Sequence, residues 1–120
     1  MNNRNRIRNR YLRDPIPVRL AGLAADLARI ASSARHETGS ASVQQMLEES
    51  QYFIEWTAAE AEPEIAAELV DIQRMLSLWR KAWAEAQHNR IQRTLLSVQA
   101  KKWSDQVLSY SGLLEQSEIG

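Results

Sequence analysis

The chain has 120 residues, 44% of them hydrophobic, with 15 Lys and Arg balanced by 15 Asp and Glu, and it has 4 Gly, 3 Pro and no Cys. That size suits one domain around a single core, and the missing cysteine excludes disulfides, thiolate metal centres and cysteine nucleophiles. No stretch of 18 uncharged apolar residues occurs and the N-terminal segment lacks a signal-peptide core, so no membrane contact is expected and a cytoplasmic protein is the default.

Residues 1–13 form a basic arm in which Arg4, Arg6, Arg8, Arg10 and Arg13 alternate with asparagines ahead of the first acid, Asp14. The remainder is expected to form one helical domain over residues 14–114, followed by a tail at 115–120. The composition favours helix, being rich in Ala, Leu, Glu, Arg and Gln and poor in breakers. A first helix is expected over 15–38, opened by Asp14-Pro15-Ile16-Pro17, with Asp14 accepting from free amides. Ile16, Leu20, Leu23, Leu27, Ile30 and Ala34 recur at spacings of four and three, and Gly39 is expected to stop the helix in the left-handed conformation.

A second helix is expected over 43–61, opened by Ser42 with Gln45 three residues on, and its stripe is Val43, Leu47, Ser50, Ile54, Thr57 and Ala61. Pro63 separates it from a third helix over 63–88, whose stripe runs Ile65, Leu69, Ile72, Leu76, Trp79, Trp83 and Ala86. No Gly or Pro stands between Glu64 and Ser111, yet the apolar face shifts first to Ile91, Leu95 and Val98, then to Leu96, Ala100, Trp103, Val107, Tyr110 and Leu114. One straight helix cannot show three faces to one partner. A break is therefore expected at 87–90, with Asn89 in a left-handed turn, before a fourth helix over 90–111. These elements together imply an all-α, antiparallel, up-and-down four-helix bundle carrying a basic N-terminal arm.

Charge is segregated. Nine acids and no bases lie between Glu37 and Asp71, whereas seven bases and one acid lie between Arg74 and Lys102. This pattern favours pairing the acidic middle of the chain with the basic later part.

Three features bear on function. Met75, Leu78, Trp79 and Trp83 widen the apolar face of the third helix towards its end, and aromatic, Met and Arg side chains are enriched at interface centres. They are candidates for a partner-binding surface or homodimer contact, set against the plainer reading that they belong to the core. The arm has the composition of a phosphate-binding tail, which makes Arg4, Arg6, Arg8, Arg10 and Arg13 candidates for nucleic-acid contact, although Tyr11 is its one aromatic residue. Glu55, Glu68 and Asp71 raise a divalent-cation alternative, set against a solvated acidic face. The pair Glu85 and His88 has the spacing used in di-iron bundles, but it stands alone at an expected helix end, where His88 instead suits the negative helix terminus.

Glu68-Leu69-Val70-Asp71 and the upstream Leu47-Glu48-Glu49 resemble fragments of the all-α nucleotide pyrophosphohydrolases of the MazG-like group. The resemblance implies magnesium-dependent nucleotide hydrolysis. It covers about two helices, and Tyr52 stands where the family's first acidic motif has a further acid. The leading expectation is a small, non-catalytic helical interaction or regulatory module that self-associates and needs no cofactor. A nucleic-acid-binding regulator and a divergent nucleotide pyrophosphohydrolase are the alternatives.

Overall fold

The computed structural model describes residues 3–112, and helix is their only regular secondary structure, with no strand among the described residues. Its helices are α1 (Asn3–Arg13), α2 (Ile16–Ser33), α3 (Ser40–Ala58), α4 (Pro63–Ala86) and α5 (Arg90–Ser111), with one 3-10 turn at Glu37–Gly39. Five helices replace the four expected. The arm is itself a helix, docked through its one buried residue, Tyr11, with Arg4 and Ile7 on the same side. The C-terminal tail and Leu114 lie outside the described residues. Among the described residues no helix is long and apolar enough to cross a membrane.

The expected stripes supply most of the core. Leu20, Leu23, Leu27 and Ile30 of α2, Val43, Leu47 and Ile54 of α3, Leu69, Ile72, Leu76, Trp79 and Trp83 of α4, and Leu96, Ala100 and Val107 of α5 are buried together. The most extensive packing joins α2 to α5, followed by α3 to α4 and α2 to α3, with α4 and α5 less closely apposed and α1 lying on α3.

Serines at heptad spacing set the α2–α5 contact. Ser97 Oγ donates to the Ala31 carbonyl at 2.6 Å and Ser104 Oγ to the Ala24 carbonyl at 2.8 Å, so the helices run in opposite directions. With Ala opposite Ser, the backbones come close, and each buried hydroxyl is satisfied by a carbonyl that also serves its own helix. The apolar-stripe reading overlooked Ser97, Ser104 and Ser111, which are buried, and counted Trp103 and Tyr110, which are only half-buried. Because α5 packs mainly on α2, the acidic α3 meets the basic part of the chain in α4, where Arg80 lies 4.0 Å from Glu48, and not in α5.

Several helix ends also differ from expectation. The N-cap of α2 is Pro15, not the expected Asp14, and no side chain caps this end; the Val18 and Arg19 amides donate to the Pro15 carbonyl, at 3.0 and 3.1 Å. Gly39 is not left-handed, with φ −90°. It is required by crowding, since a Cβ there would stand 2.6 Å from the Ser33 carbonyl oxygen. α3 begins at Ser40, ahead of the Ser42–Gln45 pair. The break between α4 and α5 falls where expected, but Asn89 is extended, not left-handed, and its side chain accepts from the Gln92 amide at 3.0 Å as the N-cap of α5.

Candidate functional site

Two surfaces stand out. The first is a cleft of about 210 Å³ between α1 and α3, lined by Arg4, Ile7, Gln45, Glu48, Tyr52 and Trp56, with Glu49 at its inner edge. Its aromatic wall, Tyr52 and Trp56, is backed by a cluster in which Tyr11 stacks on Phe53 at 4.4 Å between ring centroids and Trp56 contacts Tyr11, Tyr52 and Phe53. Offset and tilted aromatic contacts of this kind add to simple area burial. The Arg4 guanidinium lies 4.2 Å above the Tyr52 ring centre and pairs with Glu48 at 3.1 Å.

Arg19 positions α1 over this cleft. Its buried guanidinium donates to the Asp14 carbonyl at 2.7 Å, to the Leu12 carbonyl at 3.0 Å and to Glu60 of the segment after α3. Tyr11 completes the clamp, donating through its hydroxyl to the Arg19 carbonyl at 3.0 Å and sharing a 2.7 Å hydrogen bond with Thr57. Burial pushes the Tyr11 hydroxyl up to about 12, so it stays protonated as a donor.

Beneath the cleft, Asp26 of α2 is buried against Glu49 of α3. One Asp26 carboxylate oxygen receives the Arg29 guanidinium, while the other is buried with no donor. Glu49 lies within hydrogen-bonding reach of Asp26, and desolvation together with that neighbouring carboxylate pushes its carboxyl up to about 7. When Glu49 carries a proton, its carboxyl can donate to the second Asp26 oxygen, which has no other donor.

The second surface is the outer face of α5. Ile91, Leu95 and Val98 are 76%, 44% and 50% exposed and, with Arg90 and Thr94, line a shallow apolar depression. The three lie at spacings of four and three, so they form one stripe directed away from the face that packs on α2.

The residues singled out in the sequence fall differently. Trp83 is 1% exposed and donates from its indole to the Ser40 carbonyl at 2.8 Å, while Trp79 is buried and donates to Gln99 at 2.8 Å. Both indoles belong to the chain's own core, because α3 starts early enough to cover Trp83 and α5 covers Trp79. Met75 is half-buried, and only Leu78 of that set is exposed. Glu55 faces Arg8 and Arg19, whereas Glu68 accepts from Gln106 of α5 at 2.7 Å and Asp71 lies exposed beside Arg74. The structure therefore does not bring Glu55, Glu68 and Asp71 together, and among the described residues no group of three acidic or histidine side chains is placed to hold a metal ion. His88 faces Glu37 at 3.8 Å.

Of the arm, Arg4 turns into the cleft and Arg8 lines a neighbouring one with Arg19, Glu55 and Glu60. Arg6, Arg10 and Arg13 are exposed on one side of α1. Sequence reasoning missed Asp26, Arg19 and Tyr11. The spacing of Arg4, Ile7 and Tyr11 was the available signal for the last of these, whereas the pairing of Asp26 with Glu49 across 23 residues leaves no local signature. The chain matches no protein-family model, and comparisons with curated proteins and with solved structures give no match.

Proposed function

We propose that this protein is a non-catalytic helical interaction module that self-associates through the outer face of α5. In this reading α2 to α5 act as an antiparallel, up-and-down four-helix bundle with α1 laid outside it. The observation that carries the proposal is the exposed stripe of Ile91, Leu95 and Val98, which accounts for three of the seven large apolar side chains left exposed on the described surface. Scattered exposed hydrophobics need no explanation, but an aligned row on one helix marks an interaction surface.

A second copy is the partner that the charges favour. The stripe is flanked by the exposed bases Arg90, Lys101 and Lys102, while Glu55, Glu62, Glu64, Glu68 and Asp71 are exposed around the α3–α4 hairpin. Opposite charges that are separated on one molecule complement each other between two. Three side chains make a small contact, so the association is weak and concentration-dependent.

Sedimentation velocity tests this. The wild-type chain is expected to sediment faster as concentration rises, and Leu95→Glu to remain a monomer at every concentration with little change in thermal stability. A variant that associates as the wild type does would overturn the assignment to α5.

The exposed row Arg6, Arg10 and Arg13 on a helix supports a second reading, non-specific contact with nucleic-acid phosphates. Its mark is binding that weakens steeply with salt and is lost when all three are changed to Gln. Binding that is indifferent to those changes removes it.

A further inference from the structure

We propose that the cleft between α1 and α3 is a binding site for a small organic cation bearing a guanidinium group, and that Arg4 is a tethered occupant of that site. Three observations lead there. An aromatic face, Tyr52, is presented beside a carboxylate, Glu48, and this combination attracts planar cations through both the ring quadrupole and paired hydrogen bonds. The chain's own guanidinium sits in that place, 4.2 Å above the ring and 3.1 Å from the carboxylate. The cleft also extends past Arg4 to Gln45, Trp56 and Ile7, leaving about 210 Å³ for a ligand with a short apolar arm.

α1 is held in a way that allows exchange. Among its described residues only Tyr11 is buried, so the helix is anchored at its C-terminal end by Tyr11 and Arg19 while the turn that carries Arg4 rests on the surface. A free cation that displaces Arg4 therefore need not unseat the whole helix. Displacement lowers the apparent affinity of the free ligand, because the site is accessible only in the fraction of molecules where Arg4 is out.

The probe is butylguanidinium, with neutral butylurea as the shape-matched control, titrated calorimetrically into the full chain. Butylguanidinium is expected to bind and butylurea not. Arg4→Ala is expected to bind about tenfold more tightly than the wild type through loss of the competitor. Tyr52→Leu and Glu48→Gln, at half-buried positions on the cleft wall, are expected to weaken binding at least as much, with unchanged helical circular dichroism showing that each variant folds. Equal binding of the two probes, or an Arg4→Ala variant that binds no better than the wild type, would overturn the proposal. So would unchanged affinity in both Tyr52→Leu and Glu48→Gln.

Discussion

Asp26 and Glu49 place two carboxyl groups together between α2 and α3, where burial and the neighbouring carboxylate favour a proton on Glu49. The Glu49 carboxyl is raised from an ordinary 4.5 to about 7, so the folded chain holds that proton more tightly than the unfolded one. The resulting contribution to stability is complete below about pH 4.5 and is lost as the pH rises through about 7. Glu49→Gln keeps a donor towards Asp26 and removes the titration. Urea midpoints are expected to show the variant more stable than the wild type at pH 8 and close to it at pH 5; a wild-type midpoint that does not fall between those values would refute the shared proton. Arg19 is the second residue whose role lies in one side chain. Arg19→Met leaves the Leu12 and Asp14 carbonyls without their charged donor and is expected to cost about 2–3 kcal/mol in denaturant unfolding. Neither residue could be read from local pattern, since Asp26 sits among alanines and leucines on α2 and meets its partner only after the chain has reversed. The tryptophans were legible as apolar, but whether they faced core or partner depended on where α3 begins, and a shift to Ser40 decided it.

At the scale of elements, periodicity located most of the helices. The stripes on α2, α3 and α4 were read correctly because apolar residues at three-four spacing must be buried together, and the phase shift after Ala86 marked the α4–α5 break because two faces demand two helices. Two features were not legible for physical reasons, the helical state of the arm and the serines on the buried face of α5. α1 is almost wholly polar, so its helical state follows from docking through Tyr11, not from a stripe. α5 packs with serines, which polarity reasoning counts as solvent-facing, although each hydroxyl finds a helical carbonyl. That close approach is itself testable. Ser104→Leu forces a bulky side chain between α2 and α5 and is expected to destabilise by about 1–3 kcal/mol in thermal or urea unfolding, whereas Leu95→Glu on the opposite face of α5 is expected to cost under about 0.5 kcal/mol. Equal costs for the two would mean that the faces of α5 are misassigned. The cap at Gly112, which has φ +74°, closes α5 in the left-handed conformation that favours glycine, so Gly112→Ala is expected to cost about 1 kcal/mol.

For the whole molecule, the organising fact is charge that sums to zero yet is separated in space. The sequence shows the separation, and the chain pairs part of it internally, through Glu48 of α3 and Arg80 of α4. Burial and close backbone approach outweigh exposed ion pairs, so α2, not the acidic α3, takes α5 as its closest neighbour and the two charged regions stay on the surface. An apolar row bordered by one sign, on a molecule that presents the other sign elsewhere, is the basis for self-association. Resonances followed in two-dimensional NMR during dilution of the wild-type chain test this most directly. The amides of Ile91, Leu95 and Val98 are expected to move with concentration while the indole signals of Trp79 and Trp83 stay fixed; resonances that are constant throughout, or indoles that move while α5 does not, would contradict it.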